Sequence, residues 1–291
     1  MASSVRKAVI PAAGMGTRFL PATKAVPKEM IPLVDKPAIQ YVVEEAVSVG
    51  ITDILIITGR GKHDIEDHFD RSVELEELLR QGGKEAELSA IRAISGMADI
   101  HFIRQGEPRG LGHAVGMARR HVGDEPFVVM LGDDLMHPKS GILAGMLVAH
   151  ERTGGSVLCL RKVDRRETAM YGVVEAQPVS ENLVQVTGLV EKPHPDEAPS
   201  DLGVLGRYVL TPGIFEAIAA TKPGRGGEIQ LTDAIMGLTA SEKVFGHVFA
   251  DGRFDVGNKL DYLKAMVHFA LERDDLGPVF RAFLQDVVRP A

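Results

Sequence analysis

The strongest constraint on the fold of this chain is an alternation of short apolar runs with longer helical stretches in its first half. Residues 5–11, 51–58 and 126–131 are short apolar segments bounded by glycine, proline or acidic residues, which is typical of buried strands. Residues 37–49 space their apolar side chains as a helix does, and Gly50 follows as a stop signal. Strands that alternate with helices predict a largely parallel sheet with helices on both faces.

The region between the second and third of these strands predicts further elements of the same kind. We expect helical structure over residues 65–95 with a break at Gly82-Gly83, a strand near residues 100–104, and a helix over residues 111–121. This order extends the alternation and therefore the parallel sheet.

The second half of the chain has a different character. Strand-like segments separated by turns predict antiparallel additions to the sheet, and they cover residues 156–163, 173–175, 183–190 and 205–210. Helical patterns return over residues 212–220, 231–238, 259–273 and 279–287. With no linker or repeat in the sequence, we expect a single domain over residues 1–291. Its fold class is α/β, a Rossmann-like three-layer αβα fold with a mixed, mainly parallel central sheet.

Composition excludes several classes of function. The 291 residues carry a net charge of -7, which argues against a general nucleic-acid binder. The single cysteine, Cys159, excludes an internal disulfide, and its apolar surroundings predict a buried thiol. No apolar run is long enough to span a bilayer, so we expect no membrane partner and a cytoplasmic location.

The loop after the first strand carries glycines and cations. Gly14 and Gly16 allow the backbone to approach a phosphate closely. The loop is not a dinucleotide fingerprint, because Phe19 stands where that pattern has its third glycine, and it lacks the spacing of a P-loop. Arg18 and Lys28 lie ten residues apart on this proline-rich segment, and they are suited to neutralise a triphosphate from two sides.

This segment resembles the signature of the sugar-nucleotide pyrophosphorylases, in particular their bacterial members that act on UTP and glucose 1-phosphate. The resemblance begins with GMGTRFLPATKAVPKEMIPLVDKPAIQY at residues 14–41. Further blocks keep the order of the family: QGEPRGLGHAV (105–115), LGDD (131–134), YGVVE (171–175), VEKP (190–193), GEIQLTDAI (227–235) and FDVGNKLDY (254–262). Together they cover most of the chain.

The resemblance implies a nucleotidyltransferase fold and a defined reaction. A uridylyl group would pass from UTP to glucose 1-phosphate, giving UDP-glucose and pyrophosphate, with Mg²⁺ as cofactor. It also implies a homodimer or homotetramer, with the C-terminal helices 259–291 as a candidate surface for assembly.

Site residues follow from the same resemblance. The implied catalytic cations are Arg18, Lys28 and Lys192. The implied nucleotide-binding residues are Ala12, Ala13, Gly14, Gly16, Thr17, Glu29, Gln105, Gly110 and Gly112. The implied sugar-binding residues are Gly172, Glu191 and Val204, and the implied metal ligands are Asp133 and Asp255.

The chemistry of these residue types suits the implied roles. The Gln105 amide can both donate to and accept from a pyrimidine edge, and Glu29 can accept the hydrogen of uracil N3. Asp133 follows a predicted strand at the sheet edge where α/β proteins bind ligands. Two aspartates with phosphate oxygens and water would suffice for magnesium, although spacing alone does not bring Asp133 and Asp255 together. Asp134 is equally suited to hydrogen-bond nearby backbone.

Four residues of the blocks receive other interpretations. His113 is interpreted as a helix-start residue without a catalytic role. Glu228 and Asp233 are interpreted as mainly architectural, and Thr232 and Asp233 as available for capping a helix.

Several other functions fit part of these observations. The nearest is the same reaction with dTTP or another sugar 1-phosphate, since a single methyl group on the base discriminates weakly. A non-catalytic nucleotide-sugar binding protein would not require the whole set of cations and carboxylates. A glycosyltransferase would bind UDP-glucose without forming pyrophosphate, and a nicotinamide oxidoreductase is disfavoured by Phe19.

Overall fold

The first half of the chain forms the predicted alternation. The computed structural model describes residues 5–288, and of Arg225 the backbone only. The elements of this half are β1 (Lys7–Ala12), β2 (Pro32–Leu33), β3 (Lys36–Pro37), α1 (Ala38–Ser48), β4 (Asp53–Thr58), α2 (His63–Phe69), α3 (Val73–Gln81), α4 (Glu85–Ser95), β5 (Asp99–Arg104), α5 (Leu111–Gly116), α6 (Arg119–Val122) and β6 (Phe127–Met130).

The second half supplies the remaining strands and helices. They are β7 (Asp134–Met136), α7 (Ile142–Thr153), β8 (Ser156–Lys162), β9 (Gly172–Ser180), β10 (Leu183–Glu191), β11 (Leu202–Leu210), α8 (Ile214–Ala220), α9 (Leu231–Leu238), β12 (Val244–Phe249), β13 (Arg253–Asp255), α10 (Lys259–Glu272) and α11 (Gly277–Val287).

Nine strands form one sheet in the order β5-β4-β1-β6-β11-β8-β12-β10-β9. The strands from β5 to β6 pair in parallel, and so do β8 and β12. Strand β11 is antiparallel to β6 and β8, and β10 is antiparallel to β12 and β9. Only β11 and β10 therefore run against the other strands of the sheet, which confirms the predicted mixed, mainly parallel sheet.

Helices cover both faces of this sheet. Along β1, Ile10 faces a core shared with α1, α7 and α10, whereas Val9 faces a core shared with α5, α8 and α9. Successive side chains of a strand point to opposite faces, so a strand that is apolar throughout requires cover on both sides. The predicted three-layer αβα arrangement is confirmed. Cys159 lies in the first core and is fully buried, as expected.

Local predictions were less accurate at breaks between helices. The stretch predicted as helix over residues 65–95 breaks after Phe69 as well as at Gly82-Gly83, and the helix predicted over residues 111–121 is divided into α5 and α6. Sequence analysis assigned neither helix α7 nor strand β12. Strand β12 pairs with β8 and β10, which are distant in sequence, and α7 packs against β11 and β12 as well as against β8, which directly follows it, so tertiary contacts contribute to both elements.

No helix within residues 5–288 is long and apolar enough to cross a lipid bilayer.

Candidate active site

A cleft of about 560 Å³ lies where strands β6, β10 and β13 end. The loop after β6 contributes Asp133, β10 contributes its last residue Glu191, and β13 contributes its last residue Asp255. Of the residues predicted from sequence, the cleft is lined by Arg18, Asp133, Gly172, Glu191, Lys192, Val204 and Asp255. The structure thus brings together the predicted metal ligands, the predicted sugar-binding residues and two of the predicted catalytic cations.

Asp133 and Asp255 meet through a two-stranded ribbon. Strand β13 pairs with β7 so that Asp255 lies opposite Asp134, and the backbone N–H of Val256 donates to the carbonyl of Asp133 at 3.0 Å. A Cβ atom placed on Gly257 would lie 2.8 Å from Asp133 Oδ2 and 3.0 Å from Asp255 Oδ1. Both carboxylate oxygens therefore face the same space next to Gly257, and a side chain at position 257 would fill that space.

Lys28 lies outside the cleft lining but is joined to it through Asp133. Its Nζ lies 2.5 Å from Asp133 Oδ2. Burial acts to lower the pKa of Lys28, but the charges of Asp133 and Glu29 outweigh burial and raise it. For Asp133, burial acts to raise the pKa, and the Lys28 ammonium outweighs burial and lowers it. Both groups are therefore held in their charged forms.

Arg18 adds a further cation to the same corner of the cleft. A Cβ atom on Gly257 would lie 3.6 Å from Arg18 Nη1, on the side where the two carboxylates meet. The Arg18 side chain belongs to a short 3₁₀ helix, Thr17–Phe19, that begins directly after Gly16.

The glycine loop after β1 folds around Lys28. Gly16 has a φ of 64°, and a Cβ there would lie 3.0 Å from Lys28 Cβ. The Thr23 hydroxyl donates to the carbonyl of Gly16 at 2.7 Å and closes the turn. A Cβ on Gly14 would lie 3.7 Å from Lys28 Nζ. The loop, which includes the predicted Ala12, Ala13 and Thr17, is thus shaped around the cation.

Glu29 lies beneath the loop and not in the cleft. It is fully buried, and its Oε2 accepts from Lys62 Nζ at 2.7 Å, while its Oε1 has no hydrogen-bond partner among the described residues. Burial raises the pKa of Glu29, and burial lowers the pKa of Lys62. No sequence pattern marks Lys62, because an isolated lysine in a loop has no periodicity or motif around it. The predicted contact of Glu29 with a base stays a prediction.

Gln105, Gly110 and Gly112 form a second group beside the cleft. Gln105 is buried, and its Nε2 lies 2.8 Å from His113 Nδ1 and 3.4 Å from the carbonyl of Gly110. Gly110 has a φ of 100°, and a Cβ there would lie 2.6 Å from the carbonyl oxygen of Ile229. Gly112 N–H donates to that same oxygen at 2.9 Å. The two glycines therefore let the start of α5 lie against the segment before α9.

Glu191 and its neighbours form the opposite wall. The Thr232 hydroxyl donates to Glu191 Oε2 at 2.9 Å, and Lys192 Nζ lies 2.8 Å from Glu191 Oε1. A Cβ on Gly172 would lie 2.7 Å from Thr232 Cγ2. The prediction that Thr232 and Asp233 cap a helix is wrong, since α9 begins at Leu231 with Gln230 as its N-cap and has no side-chain capping bond. The Thr232 hydroxyl orients Glu191 instead.

Asp134 has a structural role. The sequence left open whether it binds metal or accepts hydrogen bonds from nearby backbone, and the structure shows the second. Its Oδ2 accepts from the N–H of Gly206 at 2.6 Å, and its Oδ1 accepts from Arg253 Nε at 2.5 Å. Arg253 also donates to the Tyr171 hydroxyl at 3.1 Å and lies 3.4 Å from Asp255 Oδ2. Burial raises the pKa of Asp255, and the charge of Arg253 offsets part of the effect. Arg253 is not among the residues predicted from sequence, although strand alternation places it on the same face as Asp255.

The family model of nucleotidyl transferases matches residues 7–272. The chain belongs to the nucleotidyl transferase family. The predicted family membership is therefore confirmed, and so is the prediction that the protein is an enzyme.

Individual relatives resemble this nucleotidyl transferase over nearly its full length. UTP–glucose-1-phosphate uridylyltransferase of Bacillus subtilis is 50% identical over 284 residues, which cover 96% of this chain and 97% of the relative. A relative of Staphylococcus saprophyticus with the same name is 46% identical over 283 residues, covering 97% and 99%.

Solved structures also resemble this chain in fold. The UTP-bound UGPase from Acinetobacter baumannii has a TM-score of 0.90 at 40% identity and covers 97% of this chain and 99% of its own. A UDP-glucose pyrophosphorylase complexed with UDP-glucose has a TM-score of 0.84 at 40% identity, with 92% and 100% covered.

Proposed function

We propose that this protein transfers a uridylyl group from UTP to glucose 1-phosphate, forming UDP-glucose and releasing pyrophosphate. The observation that carries the proposal is the convergence of Asp133, Asp255 and Arg18 around Gly257, in the cleft whose other wall holds Glu191 and Lys192. A pair of carboxylates between two groups of cations suits a reaction between two polyanions. The names and identities of the relatives support the same substrates.

Magnesium fits the paired carboxylates. Magnesium prefers oxygen ligands at about 2.0–2.1 Å and binds through one or two carboxylates together with phosphate oxygens. Asp133 Oδ2 and Asp255 Oδ1 would hold the ion, since both face the point next to Gly257. The bound ion would supply positive charge between the two reacting phosphates.

Three cations of the chain would align the substrates. Lys28, held in its charged form, would exchange Asp133 for an α-phosphate oxygen of UTP, and Arg18 would neutralise the departing pyrophosphate. Lys192 would hold the phosphate of glucose 1-phosphate for in-line attack on the α-phosphorus. That phosphate is already an anion, so the step needs no general base, and alignment with charge neutralisation accounts for catalysis.

The uracil base of UTP would bind beside the contacts that Gly110 and Gly112 make with Ile229. The backbone from Ala12 to Thr17 would contact the nucleotide, and Gln105 would contact the pyrimidine edge next to Gly110 and Gly112. Glu29 lies beneath this surface, paired with Lys62, and its Oε1, which has no hydrogen-bond partner among the described residues, is the acceptor that a base would use.

The sugar would bind against the opposite wall. Glu191 would accept hydroxyl groups of glucose, and the backbone of Gly172 and Val204 would complete the contact surface. Thr232 holds one carboxylate oxygen of Glu191, which fixes the direction of the other toward Lys192.

We also propose that residues 1–291 form one domain that assembles into a homodimer or homotetramer in the cytoplasm. The surface that supports assembly is the C-terminal helical pair. Apolar side chains on α10 and α11 are exposed there, namely Leu260, Leu263, Val279, Phe283 and Val287. Exposed apolar patches of this kind mark interaction surfaces.

The first test is pyrophosphate release with Mg²⁺ and glucose 1-phosphate, supplying UTP, dTTP, ATP, CTP and GTP separately. We expect strong release with UTP that disappears when glucose 1-phosphate or magnesium is removed. Release mainly with dTTP would keep the mechanism and contradict the assignment of the base. No release with any nucleotide, together with UDP-glucose binding, would favour a binding protein or a glycosyltransferase.

A further inference from the structure

A second cluster of metal-ligating side chains lies at the opposite end of the strands from the cleft. It consists of Asp53, His101 and His121, whose ligand atoms all lie within 4.8 Å of one another. Asp53 is the first residue of β4, His101 lies in the edge strand β5, and His121 lies in α6. Strand and helix backbone fix each of the three positions, so the cluster is part of the framework of the fold.

Sheet geometry explains why the three side chains meet. Leu55 packs in the core on the α5 side of the sheet, and Asp53, two residues earlier, points to the same face. His101 is the register partner of Leu55 and therefore shares this face. Helix α6 covers the face and places His121 Nε2 2.7 Å from Asp53 Oδ1. His101 Nε2 lies 3.9 Å from the same oxygen.

The surrounding charges favour a dication. Asp99 is the register partner of Asp53, so a second carboxylate lies next to the first on the same face. The ammonium of Lys7 is 2.7 Å from Glu125 and also donates to the carbonyls of His121 and Val122. The carboxylates of Asp53, Asp99 and Glu125 stand against the one ammonium of Lys7, so these four side chains together carry two negative charges.

His101 has ring nitrogens available for a metal, whereas His121 Nε2 is hydrogen-bonded to Asp53 Oδ1, a bond between two of the ligands that the metal would replace. Within residues 5–288, the ring of His101 forms no hydrogen bond, although it lies 4.9 Å from the ring of His121, centroid to centroid. The two rings are tilted by 56° to each other, and both direct Nε2 toward Asp53 Oδ1, at 2.7 Å for His121 and 3.9 Å for His101, as two ligands beside a shared carboxylate would. Imidazole and carboxylate together suit zinc and its neighbours among the transition metals more than magnesium.

A similar cluster, His137, His268 and Glu272, serves as a contrast. Its His137 Nδ1 accepts the backbone N–H of Lys139 at 3.1 Å. A histidine that binds metal through one nitrogen is a donor at the other, so this hydrogen bond would have to break. No backbone donor of this kind faces the ring of His101 or His121 among the described residues.

We propose that Asp53, His101 and His121 form a site for a divalent transition metal such as zinc, distinct from the magnesium site of the cleft. In a tetrahedral zinc site, nitrogen ligands lie at about 2.0–2.1 Å, and the fourth position is open to water or Asp99. His121 Nε2 and Asp53 Oδ1 lie 2.7 Å apart, and His101 Nε2 lies 3.9 Å from the same oxygen, so the ion would enter as the hydrogen bond between His121 and Asp53 opens and the exposed His101 side chain moves closer. The metal would join the edge strand β5 to helix α6 and to β4.

The test is zinc binding by the chelator-treated full-length protein in excess Mg²⁺, measured by competition with a chromophoric zinc indicator. The variant is His101→Ala, chosen because His101 is exposed at an edge strand. The matched control is His63→Ala, an exposed histidine that pairs with Glu66 outside the cluster. A His268→Ala variant reports on the second cluster.

We expect the unmodified protein to bind one equivalent of zinc, and His101→Ala to lower the zinc affinity by about 100-fold. Loss of a residue that only hydrogen-bonds a metal ligand lowers affinity by roughly 10–100-fold, and loss of a ligand should cost at least as much. His63→Ala and His268→Ala should bind zinc as the unmodified protein does. Co²⁺ in the same site should show the intense visible absorption of tetrahedral coordination, and His101→Ala should abolish it. Unchanged affinity in His101→Ala, or loss of the tight zinc in His268→Ala, would overturn the proposal.

Discussion

The two walls of the cleft are built by different means. The nucleotide wall is residues 12–29 and 105–112, of which Arg18 and Leu111 line the cleft and the others lie behind or beside it. It rests on ion pairs and on glycines packed against backbone: Lys28 pairs with Asp133, Lys62 pairs with Glu29, and Gly110 leaves no room for a side chain beside Ile229. The sugar wall, around Glu191, rests on the ends of antiparallel strands, and Glu191 is held there by one neutral donor, the Thr232 hydroxyl, and by the more exposed ammonium of Lys192.

This difference matches what each wall is proposed to bind. A triphosphate needs positive charge held ready, and the carboxylate of Asp133 keeps the Lys28 ammonium charged and oriented although it is removed from water. A sugar needs several directional hydrogen bonds, which strand ends and a fixed carboxylate supply. We therefore expect changes on the nucleotide wall to affect stability and turnover strongly, and changes on the sugar wall to affect sugar affinity moderately.

The largest expected effect is that of Lys62→Met. It leaves Glu29 buried without a partner and should lower the free energy of unfolding by about 3–5 kcal/mol at neutral pH. Burial already raises the pKa of Glu29, so the folded variant binds a proton at higher pH than the unfolded chain, where a glutamate has a pKa of about 4.3. Its stability should therefore rise as the pH is lowered from 8 toward 5 and fall again as the pH increases.

Urea unfolding at several pH values measures this effect. The control is the double variant Lys62→Met/Glu29→Gln, which removes both charges and should recover most of the lost stability. A double variant as unstable as Lys62→Met would show that the pair stabilises the fold by packing and not by mutual neutralisation.

The adjacent aspartates Asp133 and Asp134 should separate catalysis from structure. Asp133→Asn removes a proposed metal ligand and the charge that pairs with Lys28, and it should lower kcat by about 10²–10³-fold, the usual range for loss of a strong electrostatic contact. Asp134→Asn loses the charge that pairs with Arg253 and should chiefly lower the melting temperature. Steady-state kinetics and thermal unfolding of both variants measure the two effects. An equal loss of kcat in the two variants would contradict the assignment of Asp133 to catalysis and Asp134 to structure.

The glycine contact should affect the nucleotide and not the sugar. Gly110→Ala forces a Cβ against Ile229 at a backbone angle that alanine adopts poorly, and it should raise KM for UTP by roughly 10–100-fold through displacement of the neighbouring wall. The matched control is Gly83→Ala, which has a φ of 66° but no atom within 4 Å of its Cβ. If both variants raised KM for UTP equally, backbone strain and not the contact would be responsible.

The smallest effect is expected on the sugar wall. Thr232→Val removes the hydroxyl that orients Glu191 and should raise KM for glucose 1-phosphate by up to about tenfold, consistent with roughly 1 kcal/mol for one hydrogen bond. KM for UTP should stay within about twofold in the same assay. Thr239→Val, at the other end of α9, is the control. A larger change for UTP than for the sugar phosphate would remove the distinction between the walls.

Sequence patterns predicted the residues of both walls better than their partners. Arg18, Asp133, Glu191, Lys192 and Asp255 were predicted as functional and lie in one cleft. Lys62 and Arg253 were missed, since each acts only through a buried carboxylate distant in the chain. Thr232 was assigned the wrong partner, because a threonine in the first turn of a helix has the sequence signature of a cap.

The sequence by itself determined the α/β class, the order of most strands and helices, and the glycine loop with its cations, because each of these depends on periodicity or on neighbours a few residues apart. The tertiary structure decided that Lys28 meets Asp133 across 105 positions, that Asp255 faces the same point as Asp133, and that Glu29 is buried against Lys62. Such pairs depend on which strand ends become neighbours in the sheet, and no local pattern records that choice.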